Sequence, residues 1–247
     1  MKNKKTKIMQ PENFELETST VWSFLERGKW ATHDAKYRGN WSPYIPRNVI
    51  LRYSKEGETV LDQFVGGGTT LIEAKLTNRN AIGIDINPAA VELSKEKVNF
   101  EYESSSEINI FEGNACSLPL ENESVDLICT HPPYADIIQY SENIPGDLSH
   151  CRKKDFLVEI KKAADEAFRV LKKSKFCAIL MGDMRKNGMV QPLAFETMRV
   201  FEQAGFKTKE IIIKEQHNCK ATGFWKTNSI KYNFLLLAHE YLFVFKK

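Results

Sequence analysis

The stretch Val60-Leu61-Asp62-Gln63-Phe64-Val65-Gly66-Gly67-Gly68-Thr69-Thr70 decides how the chain folds. Its apolar first half reads as a strand. Three glycines then let the backbone turn sharply and approach a ligand closely. Thr69 and Thr70 are residue types that cap a helix, so a helix is expected to follow. No Gly-Lys-Ser/Thr comes after the turn, which excludes a Walker A loop, and the spacing is not G-x-G-x-x-G, which argues against a nicotinamide dinucleotide. The next strand, residues 81–86, ends on Asp85. An acid about 20 residues beyond such a turn can accept from ribose hydroxyls. After one more strand comes Glu112-Gly113-Asn114-Ala115. The Asn114 amide could pair with an adenine edge, or Gly113-Asn114 could be a simple turn.

Outward from the turn, strands and helices alternate. Strands are predicted over residues 59–65, 81–86, 108–111, 125–130 and 176–181, and helices over 47–54, 69–76, 88–98, 155–171 and 192–204. In the long helix, Phe156, Ile160, Ala163, Ala164, Ala167 and Val170 recur at i, i+3, i+4 spacing. Alternation of this kind implies a mostly parallel sheet with helices on both faces. Two final strands, residues 207–214 and 234–245, have only a loop between them and should pair as an antiparallel hairpin at one edge. Residues 21–46 interleave Trp22, Phe24, Trp30, Tyr37, Trp41 and Tyr44 with Arg27, Lys29, Lys36 and Arg38. No period fits them, and an ordered, loop-rich segment is expected. Residues 1–20 read as a basic flexible arm. Residues 21–247 read as one domain, with a ligand-binding half at about 41–120 and a second half at about 121–247.

Composition narrows the function. The chain has 247 residues, with 42% hydrophobic residues, enough for a buried core. No apolar run is long enough to span a bilayer, and no apolar region follows the N-terminal lysines as in a secretory signal. The five cysteines are scattered without a CxxC pair, as expected for reduced thiols in a cytoplasmic protein. His217 and Cys219 lack a second ligand pair, so zinc is not expected. The net charge of +3 is too modest to indicate a nucleic-acid partner by itself.

The fourth predicted strand ends in Cys129-Thr130-His131-Pro132-Pro133-Tyr134. Two prolines stiffen the backbone at the sheet edge where ligands bind in open α/β folds. Tyr134 offers an aromatic face for a base. Together the two segments resemble the motifs of the DNA amino-methyltransferases, which methylate cytosine N4 or adenine N6. That family carries a D-P-F-x-G-x-G-T-T turn and a D/N/S-P-P-Y/F/W loop. Here they stand as Asp62 to Thr70, with Gln63 in place of proline, and His131-Pro132-Pro133-Tyr134. The resemblance covers roughly residues 40–245. It implies a Rossmann-like seven-stranded methyltransferase sheet with a C-terminal hairpin, and S-adenosylmethionine as cofactor. It assigns Phe64, Gly66, Gly68 and Thr69 to the cofactor turn, Asp85 to the ribose, Asn114 to the adenine and Asp62 to the methionine end. It also implies a catalytic loop of His131, Pro132, Pro133 and Tyr134, with Tyr134 stacking on a base extruded from duplex DNA.

An exocyclic amine is a poor nucleophile because its lone pair is delocalised into the ring. The site must accept hydrogen bonds from it, and no covalent intermediate is needed. His131 departs from the family pattern. A neutral imidazole nitrogen can accept, an imidazolium cannot, so activity is expected to fall below about pH 6.5, the unperturbed pKa. A loop merely shaped by His131, with the Pro132 carbonyl as sole acceptor, is the alternative. Thr130 resembles the cytosine-N4 form of the motif and favours cytosine. A 5-methylcytosine mechanism is disfavoured, because no Pro-Cys nucleophile is present. Thr130, Tyr134, Arg152, Lys153, Lys154 and Arg185 are the candidate substrate contacts, the basic ones toward phosphates. With no long recognition domain in the chain, a short recognition sequence is implied, read by a monomer or homodimer, either stand-alone or beside a restriction endonuclease. RNA base methylation and a non-catalytic protein that binds cofactor and nucleic acid are the competing readings.

Overall fold

The structure, a computed structural model, describes residues 8–135, 138–141, 144–217 and 222–247. Its main sheet contains β1 (Val21–Trp22), β2 (Thr59–Asp62), β3 (Asn80–Asp85), β4 (Ile108–Glu112), β5 (Val125–Thr130), β6 (Leu171–Met181), β9 (Lys207–Glu215) and β10 (His239–Lys246). They lie in the order β1-β9-β10-β6-β5-β2-β3-β4. Strands β2 to β6 run parallel; β10 is antiparallel to both β6 and β9. These are the seven expected strands with their C-terminal hairpin. The two-residue β1 adds an eighth, parallel to β9.

Every residue of β5 is buried, Asp126 and Thr130 included, as the central position of a parallel strand covered on both faces requires. Neighbouring residues of the central strands serve opposite faces. Leu61 and Ile128 join a core with Phe156, Ile160 and Ala163 of α4 (Lys153–Val170) and Leu193 of α5 (Leu193–Gln203). Val60 and Leu127 join the other core, with Val49 and Ile50 of α1 (Tyr44–Tyr53) and Leu71 and Ala74 of α2 (Thr69–Leu76). Helix α3 (Pro88–Val98) is capped by Asn87, whose Oδ1 accepts from the Ala89 N–H.

Several expectations give way locally. Strand β2 ends at Asp62 instead of running on to Val65, because the left-handed Gly66 and Gly68 break it into a turn. Gly68 itself is the N-cap of α2, without a side-chain cap, so Thr69 and Thr70 have other tasks. The loop expected between the last two strands contains α6 (Thr222–Lys231), and residues 234–238 stay out of β10. A small hairpin, β7 (Met184–Lys186) and β8 (Met189–Gln191), follows β6.

Residues 8–20 are not a loose arm. Gln10 donates to the Leu76 carbonyl, Phe14 stacks on Tyr44, and the Glu17 N–H donates to Asn48. A fully buried carboxylate anchors this side. Glu73 accepts from Trp30 and Arg47 and contacts His33, and Arg47 in turn donates to Gln10. Removing one partner of such a buried charge cluster costs about 3–5 kcal/mol, because it strands the other charges. The basic residues at positions 2–7, and Cys219, lie outside the described residues. Among the described residues no helix is long and apolar enough to cross a membrane.

Candidate active site

A cleft opens at the C-terminal ends of β2, β3 and β5, where the strand order reverses direction. Phe64, Gly66, Gly67, Asp85 and Asn114 line it. Asp85 is held by backbone on both oxygens: Oδ2 accepts from the Gly66 N–H at 2.9 Å and Oδ1 from the Asn87 N–H at 2.9 Å. Burial raises its pKa, and the two N–H donors oppose that shift. The Asn114 Oδ1 accepts from the Cys116 N–H at 2.8 Å, which fixes the side chain. A Cβ on Gly146 would lie 3.1 Å from its Nδ2, so the loop passing over Asn114 approaches closely there. Tyr37 and Tyr140, stacked at 6.0 Å, close the cleft from two different loops.

Asp62 sits below, 3% exposed. Its Oδ1 accepts from Thr130 at 2.7 Å and from the Phe64 N–H, and its Oδ2 accepts from Thr70 at 2.6 Å. Burial pushes its pKa up to about 6, against the pull of those donors. One carboxyl thus ties the ends of β2 and β5 to the start of α2. Three assignments change as a result. Thr130 is buried, donates to Asp62 and takes no part in lining the cleft. Thr69 donates to the Asn40 side chain and positions that loop instead of lining the cleft. Gly68 is where α2 packs on α3: a Cβ there would lie 3.0 Å from the Ser94 Cβ. Gln63, in the family's proline position, donates to the Ala163 carbonyl, and its buried Oε1 has no partner among the described residues.

A second cavity, about 650 Å³, adjoins the first and is lined by Pro132, Tyr134, Asp183, Lys214 and Glu240 among others. His131 and Trp41 belong to the walls of both. Trp41 stacks on the His131 ring at 5.4 Å. The His131 Nε2 lies 2.8 Å from the Tyr134 hydroxyl, which donates to the Glu240 Oε1 at 2.9 Å, and Lys214 pairs with the Glu240 Oε2 at 3.0 Å. The Tyr134 hydroxyl has one hydrogen and gives it to the carboxylate. His131 must therefore donate from Nε2, which leaves Nδ1 unprotonated and able to accept. Burial lowers the His131 pKa to about 4. The expected loss of activity below pH 6.5 is thus displaced downward: this histidine stays neutral through that range. The Glu240 pKa is also lowered. Its burial acts the other way, but the attraction of Lys214 and the hydrogen bonds outweigh it.

The expected phosphate contacts separate. Lys153 pairs with Glu196 at 2.7 Å, and Arg185 donates to the carbonyls of Gly188 and Leu235. Arg152 and Lys154 are exposed at the start of α4. Tyr37, Asn40, Trp41, Tyr140, Lys214 and Glu240 complete the site, and no sequence motif announces them. For Glu240 a signal is present: it is the one acid in its strand, just before the run Tyr241 to Phe245.

A parallel sheet with a C-terminal hairpin, a glycine turn, a strand-end acid and a proline loop defines an S-adenosylmethionine-dependent methyltransferase. The chemistry of the residues present fits that cofactor: a carboxylate such as Asp85 can accept from a ribose diol, and an amide such as Asn114 can pair with an adenine edge. Solved structures agree on the fold. A methyltransferase from Methanosarcina mazei aligns with TM-score 0.55 at 16% identity, covering 81% of this chain and 96% of that one. TrmN from Thermus thermophilus aligns with TM-score 0.57 at 19% identity, covering 85% and 50%. The DNA methylase family of N6/N4 type matches residues 1–96 and 125–247, and the chain belongs to that family. An RMKL-like methyltransferase domain matches residues 49–151. Similar curated proteins include the Type II methyltransferase M.HpaI of Haemophilus parainfluenzae, 44% identical over 37% of this chain and 29% of its own length. A tRNA (guanine(10)-N2)-dimethyltransferase of Methanothermobacter thermautotrophicus is 34% identical over 49% of this chain and 34% of its own length. The matched segments span about a third of these relatives.

Proposed function

We propose that the chain transfers a methyl group from S-adenosylmethionine to the exocyclic amine of a cytosine or adenine extruded from duplex DNA. One observation carries the reading: His131, a neutral acceptor, stands in the wall between the narrow cleft and the wider cavity. When bound, the cofactor would supply an activated methyl on a sulfonium, with a neutral thioether as the leaving group. Asp85 and Asn114 hold the nucleoside end. The His131 Nδ1 and the Pro132 carbonyl accept from the amine, so that its nitrogen pyramidalises and its lone pair turns toward the methyl. The amine's surplus proton passes to His131 Nδ1 and on to water. Tyr134 lines the base cavity with its ring while Glu240 holds its hydroxyl. Orientation and fixed dipoles supply most of the rate.

The preference for cytosine rests on Thr130, whose hydroxyl serves Asp62. The reading therefore names the amine and leaves both bases as substrates. The Type II relatives support a place beside a restriction endonuclease. Incubation with radiolabelled S-adenosylmethionine and either plasmid DNA or total RNA tests the reading. Label in DNA, lost in His131→Ala, is the expected result, and nucleoside analysis then identifies the base. Label confined to RNA would overturn it in favour of the activity named in the tRNA relative.

A further inference from the structure

Helix α6 has no buried residue along its described length, yet carries Phe224 at 63%, Trp225 at 50% and Ile230 at 85% exposure. Tyr232 and Leu235, just beyond it, are also exposed. Apolar side chains concentrated on an element with no core of its own mark an interaction surface. The β7–β8 hairpin adds Met189 and Val190. The two elements are braced together: Arg185 of the hairpin donates to the Leu235 carbonyl at 2.9 Å and lies over the Phe234 ring at 5.5 Å.

Charge identifies the occupant. Between Glu215 and Glu240 there is no Asp or Glu, while Lys220, Lys226 and Lys231 fall there. The hairpin carries Arg185 and Lys186 and also has no acid. In a chain with 32 acids against 35 bases, an acid-free stretch of this length is a local polarisation. Position agrees with charge. The Gln216 N–H donates to the Ala238 carbonyl at 2.9 Å, so the α6 excursion leaves and rejoins the sheet at one point. Gln216, His217, Leu237 and His239 at that root line the wider cavity beside His131. Aromatic faces interleaved with lysines suit nucleobases and phosphates and do not suit a basic or purely apolar partner.

We propose that α6 and the β7–β8 hairpin form an arm that grips duplex DNA next to the extruded base, with Trp225 packed on the nucleic acid and Lys226, Lys231 and Lys186 at phosphates. The inference rests on the DNA reading above and adds the surface that holds the duplex. It also moves the main grip away from Lys153 and the Arg185 guanidinium, both engaged within the chain.

The arrangement of tryptophans makes a direct test. Trp22, Trp30 and Trp41 are buried, and Trp225 is half exposed. Titrating the full chain with a short duplex DNA should quench the tryptophan emission, and Trp225→Phe should abolish most of that change. Lys226→Ala/Lys231→Ala should weaken duplex affinity about tenfold and reduce its salt slope by about 2, since each phosphate left without its lysine lowers the slope by about 0.9. Cofactor affinity and melting temperature should not change, because neither lysine packs in the core. Duplex binding with unchanged affinity and salt slope in the double variant, or without any Trp225 signal, overturns the arm. If such a variant still labels DNA, the methyltransferase reading survives alone. Quenching by RNA but not by duplex DNA overturns both. Concentration-dependent self-association that Trp225→Ala abolishes would assign the surface to a second copy and also overturn the proposal.

Discussion

The two cavities that meet at His131 are built by different means. The cleft beside Asp85 is narrow, about 70 Å³, and backbone amides already fix its acceptors: Gly66 and Asn87 hold Asp85, and Cys116 holds Asn114. The wider cavity, about 650 Å³, owes its polarity to side chains bonded to one another, from Lys214 through Glu240 and Tyr134 to His131. Backbone-held groups are pre-set by a few consecutive residues. A side-chain chain depends on three separate segments staying in register. The first construction suits an invariant ligand. The second can be retuned by single substitutions.

Variants that hit one cavity and spare the other test this division. Asp85→Ala should weaken S-adenosylmethionine binding by at least about a hundredfold, since hydrogen bonds to a charged acceptor are worth about 1.5–3 kcal/mol each. Duplex affinity, read by anisotropy, should stay the same, and a parallel loss would break the division. His131→Ala should lower kcat by about 10²–10³, as for the loss of one transition-state hydrogen-bond partner, with calorimetric cofactor affinity within about twofold. Glu240→Leu combined with Lys214→Met removes the ion pair as a unit and avoids stranding a buried charge. It should lower kcat about tenfold, and adding Tyr134→Phe should cost little more, because all three act through His131.

The smallest effect concerns pH. The folded pKa of His131, about 4, lies below its ordinary value, so its contribution to stability is full above about pH 6.5 and is lost as pH falls through 4. Asp62, at about 6, is raised, so its contribution is full below about pH 4 and is lost as pH rises through 6. Between pH 4 and 6 the two oppose each other, and this pair should change stability by less than about 1 kcal/mol. His131→Gln should expose the Asp62 trend in urea titrations as stability that falls with rising pH. For kcat the expected profile is level from pH 8 to about 5.

What can be read from the sequence follows the same division. The glycine turn, Asp85 and the proline loop are local signals, each complete within a few residues of a strand end, and the structure brings them to one edge. Tyr37, Trp41 and Tyr140 come from stretches without periodicity, and only long-range packing places them over the cleft. Thr69 and Thr70 show how a correct motif can mislead in detail. Both are residue types that suit a helix cap, but Gly68 takes that place at positive φ and frees the hydroxyls for Asn40 and Asp62. Glu240 is visible as a residue, but its role depends on β10 lying beside β6 and β9.

The wall that carries Trp41 and His131 has a thermodynamic consequence. Any rearrangement of those rings when one cavity fills alters the free energy of filling the other, and linkage makes the effect reciprocal. On the proposed function, whatever factor S-adenosylmethionine introduces into the affinity for an extruded base, that base must return to the affinity for S-adenosylmethionine. The same reciprocity would hold for any pair of ligands that fill the two cavities together, since it constrains their equilibrium affinities.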